Sequence, residues 1–197
     1  MLSFLTLLLL LLAAVPPQGP GGRPAPPAAA KPAPAPAPLI SWSATRPLTV
    51  ADYLGRPAPG ERLAGLTSTN IKAGAACRDF VFSGTVQATF DPNTSWFRDA
   101  KNAPATLLRH EQLHFDLTEV YARVMRQRMV TFQARANCLK LQPAFNNFTK
   151  LVYAEWDREQ NRYDQDTNHG LNAPRQVFWE KQIQLRLEQL KAFAEQP

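Results

Sequence analysis

A chain of 197 residues carrying a net charge of +6 has room for one modest domain once its proline-rich N-terminal part is set aside. Its basic residues are scattered, with Arg123, Arg126, Arg128 and Arg135 spread around one helix among acidic neighbours. Nucleic-acid binding proteins instead gather such residues on one face, interleaved with aromatics. The arginines therefore read as a solvated surface, and nucleic acid is excluded as the expected partner.

From Met1 the chain runs without charge through Leu7 and Leu12 to Val15. That apolar run of about fourteen residues falls short of the roughly twenty that span a membrane and matches the core of a secretory signal. Residues 1–15 are thus expected to be an export signal, or an anchor if retained. The chain would then be exported to the periplasm or beyond, touching the membrane only through an uncleaved leader. Residues 16–38 are almost entirely Pro, Ala and Gly, a composition that buries nothing and favours extended polyproline II, so they read as a linker. Residues 39–197 remain as a single domain.

Within that domain, residues 39–45 alternate apolar with small polar side chains, as a half-buried strand does. Residues 48–54 suit a short helical turn, closed by loop chemistry at 55–60. Residues 63–71 and 80–90 read as two more strands, the second rich in β-branched and aromatic residues. The turn Asp91-Pro92-Asn93 ends this part. The periodicity then changes from about two to about 3.6. Asn102 is placed to cap a helix with Pro104 in its first turn. A second helix is expected from about Pro143 to Tyr163, followed by a polar loop to Asn172. Asn172 caps a last helix opened by Ala173-Pro174. The fold class is α+β, a small antiparallel sheet followed by three helices. Cys77 and Cys138 form no C-x-x-C pair, leaving a disulfide or two buried thiols as the alternatives. Trp42, Trp96, Trp156 and Trp179 suit the core or a half-buried surface.

The chemistry gathers at His110-Glu111-Gln112-Leu113-His114 in the first helix. Histidines four apart stand one turn from each other on one helix face, so both can reach one metal ion with Glu111 at its flank. His110, His114, Leu117, Tyr121 and Val124 continue a single stripe, which turns the histidines toward the core. At about 100° per residue, Asp116 and Glu119 point away from that stripe, so the third ligand must come from elsewhere in the chain. The chain has only three histidines, and His169, followed by the permissive Gly170, is the expected third ligand. The assignment is Zn2+ held by His110, His114 and His169, with a zinc-activated water and Glu111 as its general base. Asp164 or Asp166 is placed to accept the second N–H of a ligand histidine, and Tyr163 to stabilise an oxyanion.

Residues 48–57, Ser95-Trp96, the run from Leu107 to Asp116, and Tyr163-Asp164 through Thr167-Asn168-His169-Gly170 resemble, in that order, a bacterial family. It is the family described as predicted secreted zinc-dependent proteases, domain of unknown function 922. The resemblance covers about residues 39–190. It implies a zincin-like site in which His110, His114 and Glu111 match the metal motif and His169 the other family histidine. The expected function is an exported zinc metallopeptidase acting on a peptide or protein substrate. The alternatives are an envelope binding module with a structural zinc, closed by a fourth protein ligand, or a metal-dependent amidase acting on cell-wall material.

Overall fold

The computed structural model describes residues 35–195. The expected export signal and most of the proline-rich linker lie outside the described residues. Five strands, β1 (Ile40–Ser41), β2 (Gly65–Leu66), β3 (Thr69–Arg78), β4 (Val81–Phe90) and β5 (Trp96–Phe97), precede three helices, α1 (Ala105–Gln133), α2 (Leu141–Thr167) and α3 (Ala173–Gln189). One antiparallel sheet has the order β1-β4-β3, and β2 pairs with β5 in a second, two-stranded ribbon. This is the expected α+β arrangement of small antiparallel sheets followed by three helices.

The long hairpin β3–β4 is held by ten register pairs, from Thr69↔Phe90 to Arg78↔Val81. Its inner face, with Ile71, Phe82, Val86, Ala88 and Phe90, is buried against the helices. The core continues through Phe115, Leu117, Val120 and Met125 on α1, Val152 and Tyr163 on α2, and Trp179 and Ile183 on α3. Burying a side chain of that size stabilises by about 1.5–3 kcal/mol, so the hairpin is what fixes the middle of α1 in place. A disulfide joins Cys77 near the hairpin end to Cys138 in the α1–α2 connector. Among the described residues no helix is long and apolar enough to cross a membrane.

Four expectations need correction. Residues 63–71 are not one strand: β2 stops at Leu66, and β3 begins at Thr69. Asn102 does not cap α1. Its backbone and side-chain amides bond the Asp99 carboxylate, and Pro104 occupies the cap position with no side-chain bond. The second helix runs past Tyr163 to Thr167, so Asp164 and Asp166 are helical, not loop, residues. Nor are all the arginines solvated. Arg123 is buried, with Nε donating to Glu119 Oε1 at 2.8 Å and Nη1 to the Leu187 carbonyl, and Arg126 shares the same carboxylate.

Candidate metal centre

His110 and His114 lie in the second and third turns of α1, where their spacing stacks them on one side of the helix. Their Nε2 atoms are 3.2 Å apart, and Asp164 Oδ1 on α2 lies 3.1 Å from the first and 3.0 Å from the second. These three donor atoms lie within 4.8 Å of one another, so His110, His114 and Asp164 form a group able to hold a metal ion.

The surroundings set the chemistry of each donor. Gln160 Nε2 donates to the His114 carbonyl and to Thr118 Oγ1, which leaves its Oε1 to accept from His114 Nδ1–H at 2.7 Å. The proton of His114 is thereby held on Nδ1, and the Nε2 lone pair points at the cluster. Gln176 Oε1 faces His110 Nδ1 at 3.3 Å in the same way. Burial opposes the Asp164 carboxylate, but the two imidazoles outweigh it and hold the carboxyl below the usual carboxylate range. Burial also opposes a charged His114, yet Asp164, the charge of Glu111 and the Gln160 bond together raise its pKa. Three acceptor atoms crowded together in this way are the groups a cation would satisfy.

Glu111 lines the same cavity of about 270 Å³, which is walled by β2 on one side and by Trp156, Gln160 and Asn161 on the other. Among the described residues nothing donates a hydrogen bond to its carboxylate. A Cβ on Gly65 would come within 3.0 Å of Glu111 Oε1, so the bare backbone of β2 makes room for that carboxylate.

His169 stands at the cavity rim, about half exposed, with Nδ1 3.4 Å from Asp164 Oδ1. It follows the left-handed C-cap Asn168 and is itself left-handed, as is Gly170. A Cβ on Gly170 would lie 2.9 Å from His110 Cβ, so only glycine lets the chain turn this close behind His110.

Asp164 stands among the donor atoms, not behind them as expected; Gln160 and Gln176 take the outer ring nitrogens. Asp166 is turned away, bonded to Arg175 and to Trp179 Nε1. Tyr163 is fully buried, stacked on His110 with centroids 4.8 Å apart, and its hydroxyl reaches the His110 carbonyl and Gln176 Oε1. It packs and orients His110 rather than facing the cavity. Asp116 and Glu119 point elsewhere, as the helix geometry requires: Asp116 accepts from Trp42 and Gln112, and Glu119 from Arg123 and Arg126. Sequence reasoning missed Gln160 and Gln176. On a second helix continued through Asp164, the spacing of four between Gln160 and Asp164 places both on one face, and that is the signal that could have found the first of them.

A family model described as bacterial protein of unknown function (DUF922) matches residues 43–170, which include every residue of the cluster except the Gln176 that backs His110. No curated protein and no solved structure matches the chain. With the match spanning well over half of the sequence, this chain belongs to that family of bacterial proteins of unknown function.

Proposed function

We propose that the chain is an exported zinc-dependent metallopeptidase. The observation that carries the reading is the convergence of His110, His114 and Asp164 beside the uncommitted carboxylate of Glu111 in one open cavity. Two imidazoles and a carboxylate are the ligand type of catalytic zinc sites, which keep a further position for water. Bound there, zinc would supply a Lewis acid for the scissile carbonyl and lower the pKa of water.

The protein's own groups would do the rest. Gln160 and Gln176 hold the two imidazoles in register. Glu111 takes the proton from the attacking water and returns it to the leaving amine, the work of a general base and then a general acid. An extended peptide suits the cavity wall, because among the described residues β2 pairs only with β5 and can accept a further strand along its second edge. That edge favours a peptide over a cell-wall amide.

One observation favours a second reading. His169 Nδ1 lies 3.4 Å from Asp164 Oδ1 but outside the three-donor group; turned inward it would add a fourth protein ligand, and four ligands make a closed, structural site. Zinc analysis and peptide-library hydrolysis of the purified chain separate these outcomes. His110→Ala and His114→Ala should lose zinc. Glu111→Gln should keep zinc and lose about 10²–10⁴-fold in rate. Wild-type zinc content in both histidine variants would refute the metal site. Wild-type hydrolysis by Glu111→Gln would refute the role of Glu111. In the structural reading, His169→Ala would lose zinc and the wild-type chain would cleave nothing.

A further inference from the structure

The opposite end of α1 carries a second feature. Cys138 follows the end of α1 at Gln133, which at about 1.5 Å per residue lies roughly 30 Å along the helix axis from the histidines. There the β3–β4 hairpin turns through Asp79 and Phe80, with φ values of 51° and 62°. Two consecutive left-handed residues are the geometry of a turn that ordinarily holds Asn-Gly. A phenylalanine in it is strained, and it is 81 % exposed, so its ring adds nothing to the core. Strain held at an exposed position points to function rather than folding.

The disulfide brings a partner to this turn. Cys77 and Cys138 have Cα atoms 5.8 Å apart, which sets Leu139, 84 % exposed, beside the hairpin end that also carries exposed Val81. Three cations flank the disulfide along the chain: Arg78 follows Cys77 on the hairpin, and Arg135 and Lys140 lie within three residues of Cys138 in the connector. Among the described residues none of the three is in an ion pair, and Asp79 is the acidic group of the turn itself. Neighbouring Arg128 is paired with Glu155. An apolar groove of about 660 Å³, walled by Phe132, Phe148 and Leu151 and rimmed by Arg135 and Lys140, opens at the same end.

We propose that this end of the molecule docks on an anionic lipid bilayer, with Phe80, Val81 and Leu139 entering the headgroup boundary and Arg78, Arg135 and Lys140 meeting lipid phosphates. The apolar groups stand on protruding points, a hairpin tip and a connector, rather than on a flat face that a protein partner would cover. The excess of cations matches a negatively charged surface. The docking is independent of the metal centre and would hold the cavity toward the substrate side of a membrane surface.

The test is co-sedimentation of the full chain with phosphatidylcholine vesicles and with vesicles that also contain phosphatidylglycerol. Three interfacial cations imply about a hundredfold stronger partition onto the anionic vesicles. The N-terminal segment through Val15 has no charged side chain, and its terminal amine, Arg23 and Lys31 stay the same in every variant, so the comparison between variants isolates this end of the molecule. The triple variant Arg78→Gln, Arg135→Gln, Lys140→Gln should lose the anionic preference. The variant Phe80→Ser, Leu139→Ser should bind anionic vesicles at least about tenfold more weakly. These side chains are exposed, so thermal melts should show both variants folded. A wild-type chain without preference for anionic vesicles would overturn the proposal. So would a folded charge variant that keeps the preference, or an apolar variant that binds like wild type.

Discussion

Gly170→Ala tests the candidate metal centre from behind. The substitution meets two separable costs. At a φ of +82° an alanine is strained by about 1 kcal/mol. Its Cβ would also stand 2.9 Å from His110 Cβ and 3.0 Å from His110 Cγ. Carbon atoms pack at about 3.5–4.0 Å, so the His110 ring must yield by roughly 0.6 Å or more, at a further cost of about 1–3 kcal/mol. Gly60 is the control, because it has a φ of +84° and nothing lies within 4 Å of the position its Cβ would take. For a domain of this size each kcal/mol lowers the melting temperature by about 2–4 °C. Differential scanning calorimetry should show a loss of about 3 °C for Gly60→Ala and about 8 °C for Gly170→Ala. Zinc titration should show about tenfold weaker binding in Gly170→Ala alone, since a displaced ligand ring loses its alignment. If the two variants melted together and bound zinc like wild type, the close approach of Gly170 to His110 would not matter and the reasoning would fail.

Other perturbations address the scaffold. The disulfide closes a loop of 61 residues, so Cys77→Ala with Cys138→Ala should cost about 4 kcal/mol in urea unfolding while zinc content stays unchanged, because distant sites act additively. A loss below about 1 kcal/mol would count against the cross-link as a stabilising element. Glu119→Ala strands the buried Arg123 guanidinium and should cost at least about 3 kcal/mol, whereas Arg128→Ala removes a surface pair and should stay within about 1 kcal/mol; equal effects would contradict the burial of the first pair. Burial raises the pKa of Asp116 despite its bonds from Trp42 and Gln112. The folded chain therefore binds that proton more tightly than the unfolded chain, and stability falls as pH rises from the unfolded pKa through the folded one. Asp116→Asn keeps an oxygen for both donors, so it should raise the thermal midpoint near neutral pH, with the gain fading in acid; a pH-independent change would refute this.

The strands and helices were legible wherever periodicity and capping agreed. Asn172 accepts from the Arg175 amide and opens α3 as its side chain suggests, and the stripe from His110 through Leu117 to Tyr121 turns inward as the spacing requires. The misreadings have physical causes. Asp164, Asp166 and Thr167 are polar, which resembles a loop, but Thr167 Oγ1 bonds back to the Tyr163 carbonyl and the helix continues to the left-handed Asn168. Arg123 looks solvated by composition, yet its guanidinium has a carboxylate, a carbonyl and the Trp42 ring around it. Local sequence carries no sign of such tertiary partners.

The position of Asp164 follows from a rule that links the two ends of the molecule. His110 bonds Asp164, His114 bonds Gln160, and Thr118 bonds Trp156, at separations of 54, 46 and 38 residues. All three pairs are centred on position 137, and Asn137 caps the short turn that joins α1 to α2. In an antiparallel helical hairpin, residues equally distant from the turn face each other, so each step of four on one helix is answered by a step of four on the other. The two histidines at helical spacing thus demand partners at the mirrored positions, and the chain supplies a carboxylate and an amide there. The turn that sets this register is anchored by the adjacent Cys138 to the β3–β4 hairpin. Sheet, connector and the His110–His114–Asp164 cluster are therefore joined through one helical register, which the α1–α2 packing itself holds at the donor atoms.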